Sequence, residues 1–391
     1  MTLTSPVTDG SEQPRTGLTA AYAYYLSPKY REPFHYALNA EMKRRGHRYQ
    51  FLYAKKFSNE SKGDTVHIPW AEDRRFKEIK IFGRSIVWHG VFRDAKSFNL
   101  LITQQENRIL TNYLLQILAP IFGFRIAFFG HGKNFQAKDP NSLAERWKRF
   151  WATKVHWWFA YTESCADLVE SYGFPRERIT VFNNSIDLST IYREIEESSQ
   201  ERRQTLRDDL CEGSQNVAVY VGGMYAEKRL DFLVEALDQI RTDVPDFHVI
   251  FIGAGPDEDI ITAAAKTRPW IHHVGPKFGQ DKTDHALLAK VWLMPGLVGL
   301  AVLDSFAYET PMVTTDLDYH SPEFDYLEDG ENGVIIKDSN NAKAYASAVI
   351  RVLTDSDHHQ KLIEGGRDAR QKYSIEEMAR RFADGIEEAL K

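Results

Sequence analysis

Short runs of β-branched and aromatic residues alternate along this chain with longer stretches of helical apolar spacing. Residues 20–26 read as a strand, and residues 31–45 follow as a helix that Gly46 closes. Residues 48–54, 98–103 and 125–129 read as further strands, with helical spacing over 107–123. Residues 157–162 are a strand ahead of a helix over 163–172, and a strand over 179–182 runs into Asn183-Asn184-Ser185-Ile186-Asp187. The charged stretch 194–212 reads as a helical linker. A second set follows, with strands over 216–221, 247–252, 271–274 and 312–315 and helices over 228–241 and 257–265. A terminal helix is predicted over 376–390. Strands alternating with helices imply parallel, doubly wound α/β sheets.

The chain's 391 residues exceed what one core organises, so two domains are expected. A 43% hydrophobic share suits a globular protein, and a net charge of -6 argues against a dedicated nucleic-acid binder. The two cysteines, Cys165 and Cys211, fit neither a disulfide framework nor a metal-ligand spacing, which points to a reducing compartment. No run of eighteen apolar residues predicts a membrane span. Residues 1–16 are polar, lack the apolar core of a signal peptide and are expected to be disordered.

The chemistry concentrates in a few loops. In Leu293-Met294-Pro295-Gly296-Leu297-Val298-Gly299-Leu300 a Pro and two glycines precede an apolar run, so a loop feeds a buried helical turn. Asp304 falls near the start of that turn, where a helix dipole favours an anion and a carboxylate can accept hydrogen bonds from a ribose diol. The other use for an acid there is as a plain helix cap. Val221-Gly222-Gly223-Met224-Tyr225-Ala226-Glu227-Lys228 places a lysine after a strand and a Gly-Gly turn, where helix amides attract phosphate. Gly253 lies in a further strand-end turn. Gly130-His131-Gly132-Lys133-Asn134 puts an imidazole at the C-terminal end of a strand, the rim at which α/β folds bind ligands. His272 and His273 are adjacent on a strand, point to opposite faces and make poor joint metal ligands.

These segments resemble family 4 of the retaining glycosyltransferases. Gly299, Leu300, Ala307, Thr310 and Pro311 match its nucleotide-sugar signature in register, with Asp304 as the second acid. Gly296 stands where the family carries its first acid, and Gly223 where it carries an arginine. The resemblance implies a GT-B fold of two Rossmann-like domains facing a cleft. It divides the chain into an acceptor-binding domain over 17–195, a nucleotide-sugar domain over 196–375 and a helix over 376–391 that crosses back. It also implies donor contacts from Gly222, Gly223, Lys228, Gly253, Pro276, Lys277, Gly296, Val298, Gly299, Leu300 and Asp304. His131 would brace the transferred sugar and Lys228 the departing diphosphate. Gly132, Asn134, Asn184 and Glu323 would line the cleft on the acceptor side.

The expected reaction moves a sugar from a nucleotide-diphosphate sugar to a saccharide, glycolipid or small-molecule acceptor with retention, in polysaccharide or glycoconjugate synthesis. Its transition state is oxocarbenium-like and needs a stabilised leaving phosphate. The donor phosphate takes the acceptor proton in such enzymes, so no metal or cofactor is expected. Asp316 and Asp318 form an Asp-x-Asp that follows the donor signature rather than a donor strand, and no metal is assigned to it. A non-catalytic sugar-nucleotide-binding or scaffold protein is the rival class, and a sugar-nucleotide epimerase of the same fold a third. The segment 146–158 mixes basic and aromatic residues, which suits either aromatics packed on a sheet or contact with an anionic membrane. A cytoplasmic location is expected, with peripheral contact at the membrane face if the second applies.

Overall fold

A computed structural model describes residues 17–54, 67–81, 84–132 and 143–391. The expectation for residues 1–16 therefore lies outside the described residues.

The first half alternates β1 (Thr19–Ala23), α1 (Glu32–Arg44), β2 (Arg48–Tyr53) and the two-residue β3 (Glu72–Asp73). An antiparallel hairpin of β4 (Phe76–Ile81) and β5 (Arg84–His89) interrupts the pattern. It resumes with β6 (Leu100–Gln104), α2 (Leu110–Phe122), β7 (Arg125–Gly130), α3 (Leu143–Ala152), β8 (Trp157–Ala160), α4 (Glu163–Ser171) and β9 (Ile179–Val181). The strands form one parallel sheet in the order β3-β2-β1-β6-β7-β8-β9. The chain winds outward from β1 in one direction and from β6 in the other, so the switch point lies between β1 and β6.

Two helices connect the halves, α5 (Ser189–Glu197) and α6 (Gln200–Cys211). The single helix expected over 194–212 is broken because the Ser199 hydroxyl accepts from the Arg202 amide at 3.1 Å and starts a new helix. The second half runs β10 (Val217–Val221), α7 (Leu230–Asp243), β11 (His248–Ile252), α8 (Glu258–Ala265), β12 (Ile271–Gly275), α9 (Gly279–Ala286) and β13 (Val291–Met294). It continues through α10 (Ala301–Ala307), β14 (Met312–Thr315), β15 (Gly333–Ile336), α11 (Ala342–Thr354) and α12 (Ser356–Lys372) to α13 (Ile375–Ala389). Its parallel sheet has the order β12-β11-β10-β13-β14-β15, with the switch point between β10 and β13.

Helices cover both faces of each sheet, so strands such as β10, Val217-Ala218-Val219-Tyr220-Val221, are apolar throughout. The terminal helix α13 leaves the second half and packs on the first. Its Ile375, Met378, Phe382 and Ile386 join the core of β1, β6, β7 and β8, and Phe382 stacks on Phe159 at 4.1 Å. Gly385 lets this helix approach closely, since a Cβ there would lie 2.7 Å from the Phe159 ring.

Candidate active site

The loops that follow β10, β11, β12 and β13 meet at the C-terminal edge of the second sheet, next to its switch point. Ligands bind there in open α/β sheets, because helix N-termini and free amides point into the crevice. Gly222 and Gly253 both adopt positive φ, at 152° and 143°. The turns are pressed together: a Cβ on Gly253 would overlap the Gly222 carbonyl, and the Met224 amide donates to Ala254 O at 3.0 Å. The Gly223 carbonyl accepts from the Tyr220 hydroxyl at 2.7 Å, which holds this turn open over the strand end.

Lys228 ends the one-turn 3-10 helix Ala226–Lys228 ahead of α7, and it is only 6% exposed. Its ammonium donates to the Leu297 carbonyl and lies 3.5 Å from the Met294 sulfur. Burial lowers its pKa to about 8. Lys228 is therefore not a solvated surface residue; it joins the loop after β10 to the loop after β13. The Leu297 amide adds a second stitch, donating to Glu227 O at 2.9 Å. Gly296 lies in this contact, where a Cβ would come 2.6 Å from the Lys228 Cα. A side chain at 296 would push the two loops apart.

Asp304 is the fourth residue of α10, whose N-cap position is Leu300, so it is not a helix cap. Its carboxylate faces the Lys282 ammonium of α9 at 3.5 Å. Burial raises the Asp304 pKa, and Lys282 opposes that shift. Val298 and Gly299 line the same loop. The Val298 amide lies 3.3 Å from Nδ1 of His320, whose Nε2 lies 2.7 Å from Thr315 O. That pair of contacts fits a neutral imidazole with its proton on Nε2, and burial lowers the pKa in the same sense. Pro276 follows the end of β12, and Lys277 is turned toward α9, 2.9 Å from Asp281.

On the first sheet, His131 directly follows β7. It is half-buried, with its ring edge-on to Tyr161 at 4.0 Å. Burial first, then Lys148 and Arg31, lower its pKa to about 3, so the imidazole is neutral at ordinary pH. Gly132 is in the left-handed region at φ 77°. Asn134, expected beside it, lies outside the described residues. Asn184 and Glu323 meet: the Asn184 amide donates to the Glu323 carboxylate, and the Tyr326 hydroxyl donates to Asn184 O at 2.9 Å. The 3-10 turn Pro322–Tyr326 thereby fastens the second half to the first, with the Ser164 amide donating to Asp325 at 3.0 Å.

Several residues of these crevices carry no sequence motif: Lys282, His320, Arg31 and Tyr161. Arg31 offers one signal, a cation at the start of a helix, where the dipole disfavours it. Tertiary folding also gathers Cys211, His248 and His272, which sequence spacing does not predict. His248 Nδ1 and His272 Nε2 face each other at 3.0 Å with ring planes 9° apart, so the two imidazoles are hydrogen-bonded partners. Asp316 pairs with Lys337 at 3.3 Å and is not among the metal-capable clusters of the described residues.

A different surface lies on α2 and α3. Leu110, Ile117, Ile121 and Phe122 of α2 are exposed, as are Leu143, Trp147 and Phe150 of α3. Tyr113 and Trp151 join the two helices edge to face at 5.2 Å, while Lys96 and Lys154 lie over the Phe122 and Phe150 rings. The aromatics of 146–158 thus divide. Trp157 and Trp158 are packed in the sheet, whereas Trp147 and Phe150 face outward. No helix of the described residues is long and apolar enough to cross a membrane.

Residues 215–355 match the family model described as glycosyl transferases group 1. The putative glycosyltransferase EpsD of Bacillus subtilis is 24% identical over 275 residues, 66% of this chain and 69% of EpsD. Anabaena HepE in complex with UDP superposes with a TM-score of 0.65 at 13% identity, over 95% of this chain and 99% of HepE. A glycosyltransferase of Rickettsia africae gives a TM-score of 0.66 at 14% identity, over 96% of this chain and 100% of its own. The two Rossmann-like sheets and the returning helix are the GT-B architecture.

Proposed function

We propose that this chain, a glycosyltransferase of the GT-B fold, moves a sugar from a nucleotide-diphosphate sugar to an acceptor with retention of configuration, as family 4 enzymes do. The observation that carries the reading is the meeting of the two loops at the β10–β13 switch point, with Lys228 in one and the approach to Asp304 in the other. Asp304 would accept from the ribose hydroxyls. Lys228 would exchange the Leu297 carbonyl for diphosphate oxygens and hold the charge of the leaving group. A buried ammonium gains more from a diphosphate than an exposed one, because solvent screens the pair less.

Across the cleft, neutral His131 would donate to or accept from a hydroxyl of the transferred sugar. A uridine diphosphate sugar is the first donor to try, since HepE binds UDP and UDP-glucose. The acceptor proton would pass to the donor phosphate, so neither a protein base nor a metal takes part. The exposed apolar faces of α2 and α3, rimmed by basic residues, suit a lipid-linked acceptor presented at an anionic membrane surface.

The test is donor hydrolysis with a panel of nucleotide sugars, with and without chelator, and the anomer of the released or transferred sugar read by NMR. Retained configuration and turnover in chelator support the reading. Binding without turnover on the whole panel would favour a scaffold protein, and inversion or strict need for a divalent ion would reject the mechanism.

A further inference from the structure

The opposite edge of the second sheet gathers a thiol and two imidazoles that have no role in the reaction above. Cys211 is the last residue of the linker helix α6, His248 the first of β11 and His272 the second of β12. These strands run parallel, so both imidazoles sit at N-terminal ends, away from the donor crevice at the C-terminal ends. One ligand atom from each of the three residues lies within 4.8 Å of the other two. Cys211 is a free thiol and fully buried, and His248 is buried as well. Among the described residues the 3.0 Å contact between His248 Nδ1 and His272 Nε2 is the only hydrogen bond of either ring.

Tetrahedral zinc bonds nitrogen at about 2.0–2.1 Å and thiolate sulfur at about 2.3 Å, which sets two nitrogens about 3.3 Å apart and sulfur about 3.6 Å from each. The two ring nitrogens are already close to that spacing. An ion needs the rings to tip away from each other and toward the sulfur, a rotation of side chains that gives up one hydrogen bond. The nearby charges suit it. Arg207, one turn earlier in α6, donates to the Ser214 and Leu288 carbonyls and lends positive charge that favours the thiolate. Glu212, directly after Cys211, lies near enough for its charge to reach both imidazoles, where it favours a cation.

A thiolate and two imidazoles are a borderline-soft donor set, which suits zinc rather than magnesium or calcium. We propose that Cys211, His248 and His272 form a zinc site, with water or the Glu212 carboxylate in the fourth position, that pins the linker helix α6 to the edge of the second sheet. On binding, the Cys211 thiol releases its proton to solvent, and the proton between the rings moves to the other nitrogen of its own ring. The ion's role is structural, because it sits at the other end of the strands from Lys228 and Asp304. The site is independent of the glycosyltransferase reading and of the metal-free reaction proposed there.

Zinc is the probe, titrated by calorimetry into the untagged full chain after chelator and dialysis, with cobalt(II) as its optical stand-in. A single zinc per chain is expected, with a thiolate-to-cobalt charge-transfer band and a thermal midpoint that rises as zinc is added. Cys211→Ser should abolish the band. Cys211→Ser and His272→Gln should each weaken zinc by more than about a hundredfold, beyond what a lost outer partner costs. His272 is partly exposed, so His272→Gln serves if Cys211→Ser does not fold by circular dichroism. A folded chain that takes up no zinc overturns the site. So does zinc held equally tightly by a folded His272→Gln, which would place the ion on other histidines, and so does binding of copper without zinc. Donor turnover, measured below the midpoint of the stripped chain, should be the same with and without zinc, and a strict need for zinc there would overturn the structural role.

Discussion

The ammonium of Lys282 faces the carboxylate of Asp304 at 3.5 Å, across from helix α9 to helix α10. Burial raises the Asp304 pKa, and that neighbour opposes the shift. On the reading proposed above, this carboxylate accepts from the hydroxyls of the donor ribose. Asp304→Asn preserves the shape and removes a charge-assisted bond, so nucleoside diphosphate affinity should fall about ten- to hundredfold. Calorimetry with nucleoside and nucleoside diphosphate checks this, and both ligands should lose alike because both carry the ribose.

Lys228 should separate the two ligands. Lys228→Ala should weaken nucleoside diphosphate binding and turnover while leaving nucleoside affinity near wild type. The pH dependence has a definite sign. Burial holds the lysine down to about 8, so the free enzyme loses the positive charge as pH rises through that value. Diphosphate affinity should decline above about pH 8 and nucleoside affinity should not. The same shift bears on stability: the folded state binds fewer protons than the unfolded one between about 8 and the ordinary lysine value. Stability from this group therefore rises with pH across that window, which a denaturation series on wild type and Lys228→Met would resolve.

Gly296 is where the two loops touch. Gly296→Ala forces a Cβ into the Glu227 carbonyl and to 2.6 Å from the Lys228 Cα. Overpacking of this kind costs roughly 1–3 kcal/mol. Urea denaturation should show that loss, and Gly296→Glu, which supplies the acid of the resembled signature, should be worse rather than better. A stable, more active Gly296→Glu would mean that the loops part readily in solution.

His131 follows β7 on the other sheet, so on the reading proposed above its contact with a donor would form only when the cleft closes. His131→Ala should lower turnover and leave nucleoside diphosphate affinity within about twofold, a change far below one tenfold step of 1.4 kcal/mol. With its pKa held near 3, it contributes no ionisation to the rate profile around neutral pH. A rate profile that loses a neutral-range ionisation in His131→Ala would contradict the buried, neutral imidazole.

The exposed stripe of Leu143, Trp147 and Phe150 on α3 repeats at helical spacing beside Ile117 and Ile121 of α2. Replacing Trp147 and Phe150 by Ser should reduce sedimentation with anionic vesicles and leave the thermal midpoint nearly unchanged, because both side chains already face outward. Binding should weaken as salt rises, since exposed charges are screened within about 10 Å at 0.1 M. Equal sedimentation of wild type and variant in anionic vesicles would remove the membrane from the picture.

The architecture was legible in the chain because its carriers are local. Strand, turn and helix follow one another at short range, so residues 216–221, 247–252 and 312–315 announced the strands now seen as Val217–Val221, His248–Ile252 and Met312–Thr315. The strands Val291–Met294 and Gly333–Ile336 and the hairpin of Phe76–Ile81 with Arg84–His89 were not expected from the sequence. The glycines at strand ends pointed to the crevice of the second sheet for the same local reason: positive φ and close approach are backbone properties that only glycine satisfies cheaply. What no local pattern could reveal is which side chains fold together from distant positions. Lys282 reaches Asp304, Lys228 reaches Leu297, and Asn184 reaches Glu323 across 139 residues. Arg31 read as the first residue of a helix, and became a buried cation only when Phe129 and Tyr161 closed over it. Sequence determined the two sheets and the glycine turns at their strand ends, because turns and apolar runs act over a few residues. Tertiary structure alone decided the burial and the partner of each candidate group, because both depend on neighbours that the chain brings from far away.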